Sequence, residues 1–181
     1  MDFVALRDIA GTLDSRTLRA VRQAATEGDA EAQYLLYLSQ VSSDRRVGSK
    51  TRDLLLRAAE LGSLQAQRDL AVCYIWGEDG YEKNFTRARF WYRLAALGGH
   101  TESQVACGSM MMRGDGGETL RAEGLSFLEA ATNGSDRGDA EAAFGELINI
   151  FDGCYGLEAE PERAAEWRQR LAAWEQTSNE G

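Results

Sequence analysis

Apolar and small residues along this chain recur at helical spacing, in blocks separated by short runs rich in Gly, Asp and Ser. In "FTRARFWYRLAALGG" (residues 85–99), Ala88, Trp91, Tyr92 and Ala95 stand at i, i+3, i+4 and i+7, the stripe of a helix with one buried face. A second kind of block follows each such helix: "DAEAQYLLYL", "LQAQRDLAVCYIWG" and "TESQVACGSMMMRG". Within these, Ala66, Leu70 and Tyr74 are four apart, and so are Ser103, Cys107 and Met111. Small residues beside the stripes, Ala71 and Gly108, would let neighbouring helices approach closely.

The helices come as a repeating unit. The frame Ala-Ala-x-x-Gly occurs at Ala24–Gly28, Ala58–Gly62, Ala95–Gly99 and Ala130–Gly134, in steps of 34, 37 and 35 residues. A fifth copy, Ala172-Ala173, lacks the glycine. Each Ala pair closes an amphipathic run, and the glycine beyond it reads as a left-handed helix stop. Gly62, Gly99 and Gly134 are therefore expected at positive φ. The unit is helix, loop, helix, tight glycine turn, and a period in the mid-thirties marks a helical solenoid.

The stretch "AQRDLAVCYIWGEDGYEKNFTRARFWYRLAALGGH" resembles a Sel-one-like repeat, a relative of the tetratricopeptide repeat. Ala66, Leu70, Tyr74, Gly77, Ala88, Trp91, Tyr92, Ala95, Ala96 and Gly99 match the family pattern, with Gly80 displaced by one position. A tetratricopeptide reading fits less well, because those repeats usually close with proline and the one proline, Pro161, opens a helix instead. The other copies depart from the pattern. The second has "SSDRRVGSK" in its loop and no Trp-Tyr pair, and the Ser103–Gly134 copy carries Phe127-Leu128 in place of that pair. The resemblance implies an all-α, right-handed α/α solenoid of antiparallel helix pairs. Its expected divisions are a cap over 1–28, repeats at 29–62, 63–99, 100–134 and 135–175, and a flexible tail at 176–181. Residues 2–13 are expected to form a capping helix, and Trp91 to be a buried wedge between repeats.

Composition narrows the chemistry. Twenty Lys and Arg against 29 Asp and Glu leave a net charge of −9, which repels nucleic-acid backbones and suits a basic partner through long-range steering. Three cysteines, Cys73, Cys107 and Cys154, form no CxxC pair, so neither a disulfide framework nor a zinc site is expected. Asp2 stands where a signal peptide would be basic, and the longest apolar run near the N-terminus is Phe3–Leu6, too short for a leader core or a membrane span. A cytoplasmic protein with no membrane partner is expected. The single histidine, His100, has no catalytic or ligating partner at readable spacing and is read as a surface-turn residue. "GDGGE" at 114–118 lacks the Lys-Ser/Thr of a phosphate loop and is read as an interhelix turn. No enzyme activity and no cofactor are expected.

In the family the first helices of successive repeats line the concave face. Residues of those helices that fall off the buried stripe are the candidate partner contacts: Tyr34, Leu38, Arg68, Val72, Trp76, Met112 and Arg113. Aromatic and aliphatic groups flanked by Arg have the composition of binding hot spots. The alternative is that the array is wound tightly enough for them to pack within it. The implied function is protein–protein binding. In its sharpest form the chain is a bacterial immunity protein that occludes a cognate basic toxin, and the alternative is a regulatory adaptor or scaffold in signalling.

Overall fold

The structure, a computed structural model, describes residues 7–43 and 48–179. Every regular element among these is helical: α1 (Ser15–Thr26), α2 (Ala30–Ser43), α3 (Ser49–Glu60), α4 (Leu64–Trp76), α5 (Phe85–Leu97), α6 (Thr101–Arg113), α7 (Arg121–Ala131), α8 (Arg137–Phe151) and α9 (Pro161–Asn179), with 3-10 turns at Arg7–Thr12 and Cys154–Gly156. Two units are distinguished by their internal contacts, one ending at Gly98 and the other beginning at Gly99.

The starts of the helices show the repeat most plainly. Asp29, Ser63, His100 and Asp136 precede α2, α4, α6 and α8, and their side chains accept from the backbone N–H of Ala32, Ala66, Ser103 and Asp139 at 2.8, 3.4, 3.3 and 3.0 Å. Each satisfies one of the donors a helix N-terminus leaves without a partner. His100 is thus a helix cap whose ring Nδ1 takes the place that a carboxylate or hydroxyl fills in the other copies, and its turn is structural.

In the first unit each helix packs on the next, α1 through α5. Val21, Ala25, Ala32 and Leu35 form a core with Ala10 of the N-terminal turn. The junctions between repeats are built from the Ala pairs. Gly28 N–H donates to the Ala25 carbonyl at 3.2 Å and Asp29 N–H to the Ala24 carbonyl at 3.1 Å. The next junction repeats this, with Gly62 donating to Ala59 at 3.1 Å and Ser63 to Ala58 at 3.0 Å. Gly28 and Gly62 lie at φ 92° and 100°, a region an L side chain enters only with strain. A buried amide then clamps each junction: Gln33 Nε2 donates to the Ala25 carbonyl at 2.8 Å, and Gln67 Nε2 to the Ala59 carbonyl at 3.0 Å.

In the second unit α6 and α7 meet backbone to backbone. A Cβ on Gly108 would lie 2.8 Å from the Gly124 carbonyl oxygen, and one on Gly124 would lie 3.0 Å from that of Gly108. The close approach expected of Gly108 is present, and its partner is a second glycine. Leu128, Phe144, Leu147, Phe151 and Trp167 form the core that α8 and α9 share with α6 and α7. Pro161 occupies the first position of α9, as expected of a residue with no N–H to lose. Ala172 and Ala173 of the degenerate fifth copy are exposed, whereas Ala58, Ala59, Ala95 and Ala96 are buried.

Within a repeat the loop is closed in one way. The N–H of Asn84, Leu120 and Glu160, each just before a second helix, donates to the carbonyl of Tyr74, Met111 and Phe151 at 2.8, 3.1 and 2.7 Å. Left-handed Gly77, Gly114 and Gly153 turn the chain after α4, α6 and α8.

Four expectations need correction. Gly99 lies at φ 90°, like Gly62, but Gly134 is not left-handed; it is small because a Cβ there would run into the side chain of Thr101. Trp91 is half-buried, edge-on to the exposed Phe90 ring at 5.1 Å, while Tyr92 takes the buried position. The Trp therefore lies over the edge of the stripe rather than in it. The described part of the N-terminal cap, Arg7–Thr12, is a 3-10 turn rather than an α-helix, and residues 1–6 lie outside the described residues. Helix α9 continues to Asn179, through most of the segment read as a tail.

The two junction glycines should respond differently to the same change. Gly62→Ala meets no neighbour within 4 Å and should lose about 1 kcal/mol from backbone strain alone. Gly134→Ala meets Thr101, so its loss should shrink in the double variant with Thr101→Gly, measured by urea unfolding. Equal rescue of both glycine variants by Thr101→Gly would refute this distinction.

Candidate partner-binding surface

The seven candidate residues divide between the units, and two are not surface residues. Tyr34 is 5% exposed and Met112 is 3% exposed. Met112 packs into the core of the second unit against Leu128, Phe144 and Phe151. Tyr34 lies stacked against Tyr37 at 6.0 Å, and its hydroxyl donates to Asp69 Oδ2 of α4 at 2.7 Å. The correction has a physical cause: consecutive first helices approach closely enough for a long side chain on one to reach the next. Burial, then the Asp69 carboxylate, pushes the Tyr34 phenol above its ordinary range. It remains a neutral donor across the physiological range.

The other five keep surface. Leu38 and Val72 are half-buried on α2 and α4, and Arg68 pairs with Asp69 at 2.8 Å. Trp76, the last residue of α4, is 67% exposed, the most of any large apolar side chain described. Arg113 holds the equivalent place at the end of α6, just before its left-handed glycine. It is tied down by Asp115 at 2.7 Å and lies over the Tyr155 ring at 5.8 Å. Trp76 therefore stands free of such tethers where Arg113 is held.

Trp76 has an acidic setting. Gly77 and Asp79 lie at φ 71° and 55°, and Gly80 at 80°, so the loop after α4 curls tightly. Asp79 Oδ2 accepts from the Cys73 thiol at 4.0 Å. Burial, then the carboxylates of Asp79, Asp69 and Glu78, pushes that thiol up to about 12. Three carboxylates thus act on one point of the helix that ends in Trp76. A helix with an exposed indole at its end and carboxylates acting one turn back, at Cys73, offers a ligand two things. It can anchor an apolar side chain and it can draw a cation.

Both units bridge their first helices with a carboxylate. Asp69 joins α4 to α2 through Tyr34, and Glu146 of α8 accepts from Ser109 of α6 at 2.9 Å and from Tyr155 at 2.6 Å. Tyr155 holds this position at φ 60°, a costly backbone for a bulky residue. These are positioning contacts. Among the described residues no group of three His, Cys, Asp or Glu side chains could hold a metal ion, and no helix is long and apolar enough to cross a membrane. Sequence reading missed Asp69, Asp79 and Tyr37, which carry no spacing signal. It also missed Gln33 and Gln67, although Gln recurs at 33, 67 and 104 with the frame's own steps of 34 and 37.

Helix pairs stacked in this order make the chain an α/α solenoid, a class built to present extended surfaces to other proteins. The Sel1 repeat family model matches residues 30–63 and 64–100, so this part of the chain is built of two Sel1-like repeats. Sel1 repeat proteins are protein-interaction modules. The structure is similar to that of a Sel1 repeat protein from Oxalobacter formigenes (23% identity, 94% of this chain and 68% of that one, TM-score 0.75). It is similar also to a protective antigen of uropathogenic Escherichia coli strains displaying an SLR fold (25% identity, 87% of this chain, TM-score 0.69), of which the chain spans 33%. A third similar structure is the Helicobacter pylori cysteine rich protein B (20% identity, 71% of this chain and 96% of that one, TM-score 0.53). None of the curated proteins matches the chain by sequence.

The thiols should report this packing. Cys73 and Cys107 are buried and Cys154 is exposed. With Cys73 held protonated up to about 12, iodoacetamide at pH 8 should label Cys154 alone in the folded protein, since the thiolate is the reactive form. Mass spectrometry showing Cys73 labelled as fast as Cys154 would contradict the burial described above.

Proposed function

We propose that the chain is a binding protein for a basic protein partner, which it grips through the surface of α2 and α4 around Trp76. The observation that carries this reading is the exposed Trp76 indole at the end of α4, the helix whose Cys73 feels the carboxylates of Asp79, Asp69 and Glu78. An aromatic side chain that becomes buried on binding is a common hot-spot anchor, and Leu38 of α2 with Arg68 and Val72 of α4 are the further contacts proposed. Net charge −9 over the chain favours encounter with a cationic surface. In the finer form of the proposal the partner is a toxin and the chain is its immunity protein, acting in the cytoplasm by covering the toxin's working surface. The chain supplies no reaction of its own; it acts by occlusion.

The test uses the product of a toxin-like reading frame beside the gene. Trp76→Ala should weaken binding by about 2 kcal/mol or more, nearly all of it in faster dissociation. Glu78→Gln should instead slow association and flatten its salt dependence, because rim charges steer more than they hold. In cells the wild type should restore growth against that product and Trp76→Ala should restore it poorly. Unchanged affinity in a folded Trp76→Ala variant would sink the surface. Tight binding without growth rescue would leave the surface and favour an adaptor.

A further inference from the structure

The first unit carries a second polar feature, on the loop between α4 and α5, that the partner surface does not use. A groove of about 460 Å³ opens there, lined by Arg52 of α3, Tyr74 of α4, Tyr81 and Lys83 of the loop, and Arg87 of α5. None of the three cations forms an ion pair with a described residue. Arg52 Nη1 donates to the Gly80 and Asp79 carbonyls at 3.1 and 3.4 Å. Arg87 Nη1 donates to the Tyr74 hydroxyl at 3.2 Å, with its guanidinium 5.4 Å from the Tyr74 ring centroid. Lys83 Nζ lies 4.9 Å from the Phe85 ring centroid. In a chain with nine more acids than bases, three cations against one carboxylate in the lining of a groove is a marked local reversal of charge.

The groove is also held in shape. Tyr81 packs edge-on against Tyr74 at 5.1 Å and its hydroxyl donates to the Arg52 carbonyl at 3.3 Å. Gly80 lies at φ 80°, and a Cβ there would run into the Arg52 guanidinium, so the loop sits directly against that side chain. Each guanidinium is positioned by one of its nitrogens, Nη1, and its other N–H groups donate to no described residue. Rigid forks with unused donors fit a tetrahedral or planar oxyanion with little ordering cost. Asn84 caps α5 at the same groove, accepting from Arg87 N–H at 2.9 Å, so the positive end of that helix adds to the field.

We propose that this groove binds a phosphomonoester group through Arg52, Lys83 and Arg87. The charge favours a phosphate over a carboxylate: three cations and the one carboxylate of the lining, Glu82, leave a local charge close to that of a phosphate dianion, with opposite sign. Tyr74 supplies a hydroxyl already polarised by Arg87. The site is independent of the Trp76 surface and stands or falls without it.

The experiment is a titration of the full chain with sodium phosphate at constant ionic strength, followed by ¹H–¹⁵N spectra. Saturable shifts confined to the 80–87 loop and the start of α5 are expected. Arg87→Met should weaken the apparent affinity by at least about tenfold, the loss typical of a charge-assisted hydrogen-bond donor. Lys83→Gln, an exposed change at a side chain whose Nζ lies over the Phe85 ring, should weaken it less and leave the melting temperature in place. Parallel titrations with AMP and with a phosphotyrosine peptide distinguish a small phosphomonoester from a phosphorylated protein segment as the source of the group. Unsaturable shifts, acetate binding as tightly as phosphate, or full affinity in both folded variants would overturn the proposal.

Discussion

The structure depends on how one helix pair is joined to the next. At each junction of the first unit, a helix ends in two small residues, a left-handed glycine reverses the chain, and a buried glutamine from the following helix donates to the carbonyl of the second alanine. Each part requires the others. A side chain larger than Ala would hold the helices apart and pull the glutamine out of reach. A non-glycine turn would strain the reversal, and without the amide the carbonyl at the helix end would lose a buried donor. Dispersion and burial then act over helices already fixed in register.

The features proposed to bind ligands sit where this framework leaves the chain free. The junction holds the C-terminal ends of the second helices, while the loops after the first helices vary in length and sequence from copy to copy. Trp76 and the α4–α5 groove both belong to that variable end. So does Tyr155, held at positive φ by Glu146. The same repeat position therefore carries an exposed indole in one copy and a tethered arginine in another. A constant scaffold with one divergent edge can acquire a partner without disturbing its own stability.

Opposite charges are kept apart within the first unit. The carboxylates of Asp69, Glu78 and Asp79 gather near the Cys73 side of α4, and Arg52, Lys83 and Arg87 gather around the groove beyond Gly80. The tight loop from Gly77 to Gly80 separates them, and Arg52 grips that loop through its carbonyls rather than through a carboxylate. The net charge of the chain therefore describes neither neighbourhood. Long-range approach follows the total, and contact follows the local arrangement.

The repeat was legible in the sequence because it depends on local and periodic features: small residues at helix ends, glycines at reversals, capping residues at helix starts, stripes at helical spacing. Ala58, Gly62, Ala95 and Gly99 announce their roles by recurrence, and Gly108 by its place beside a stripe. The proposed binding surface was legible only in part. Trp76 could be singled out as an aromatic at a helix end, but Tyr34 and Met112 look alike in sequence to exposed neighbours and are buried by the approach of other helices. Gly134 shows the same limit: its smallness answers a contact with Thr101, 33 positions earlier, and not its own backbone angle. The cations of the groove come from α3, a loop and α5, with no shared spacing. Local conformation is a property of neighbouring residues and can be read along the chain. Which side chains meet across helices is decided by packing distances that exist only once the fold has formed.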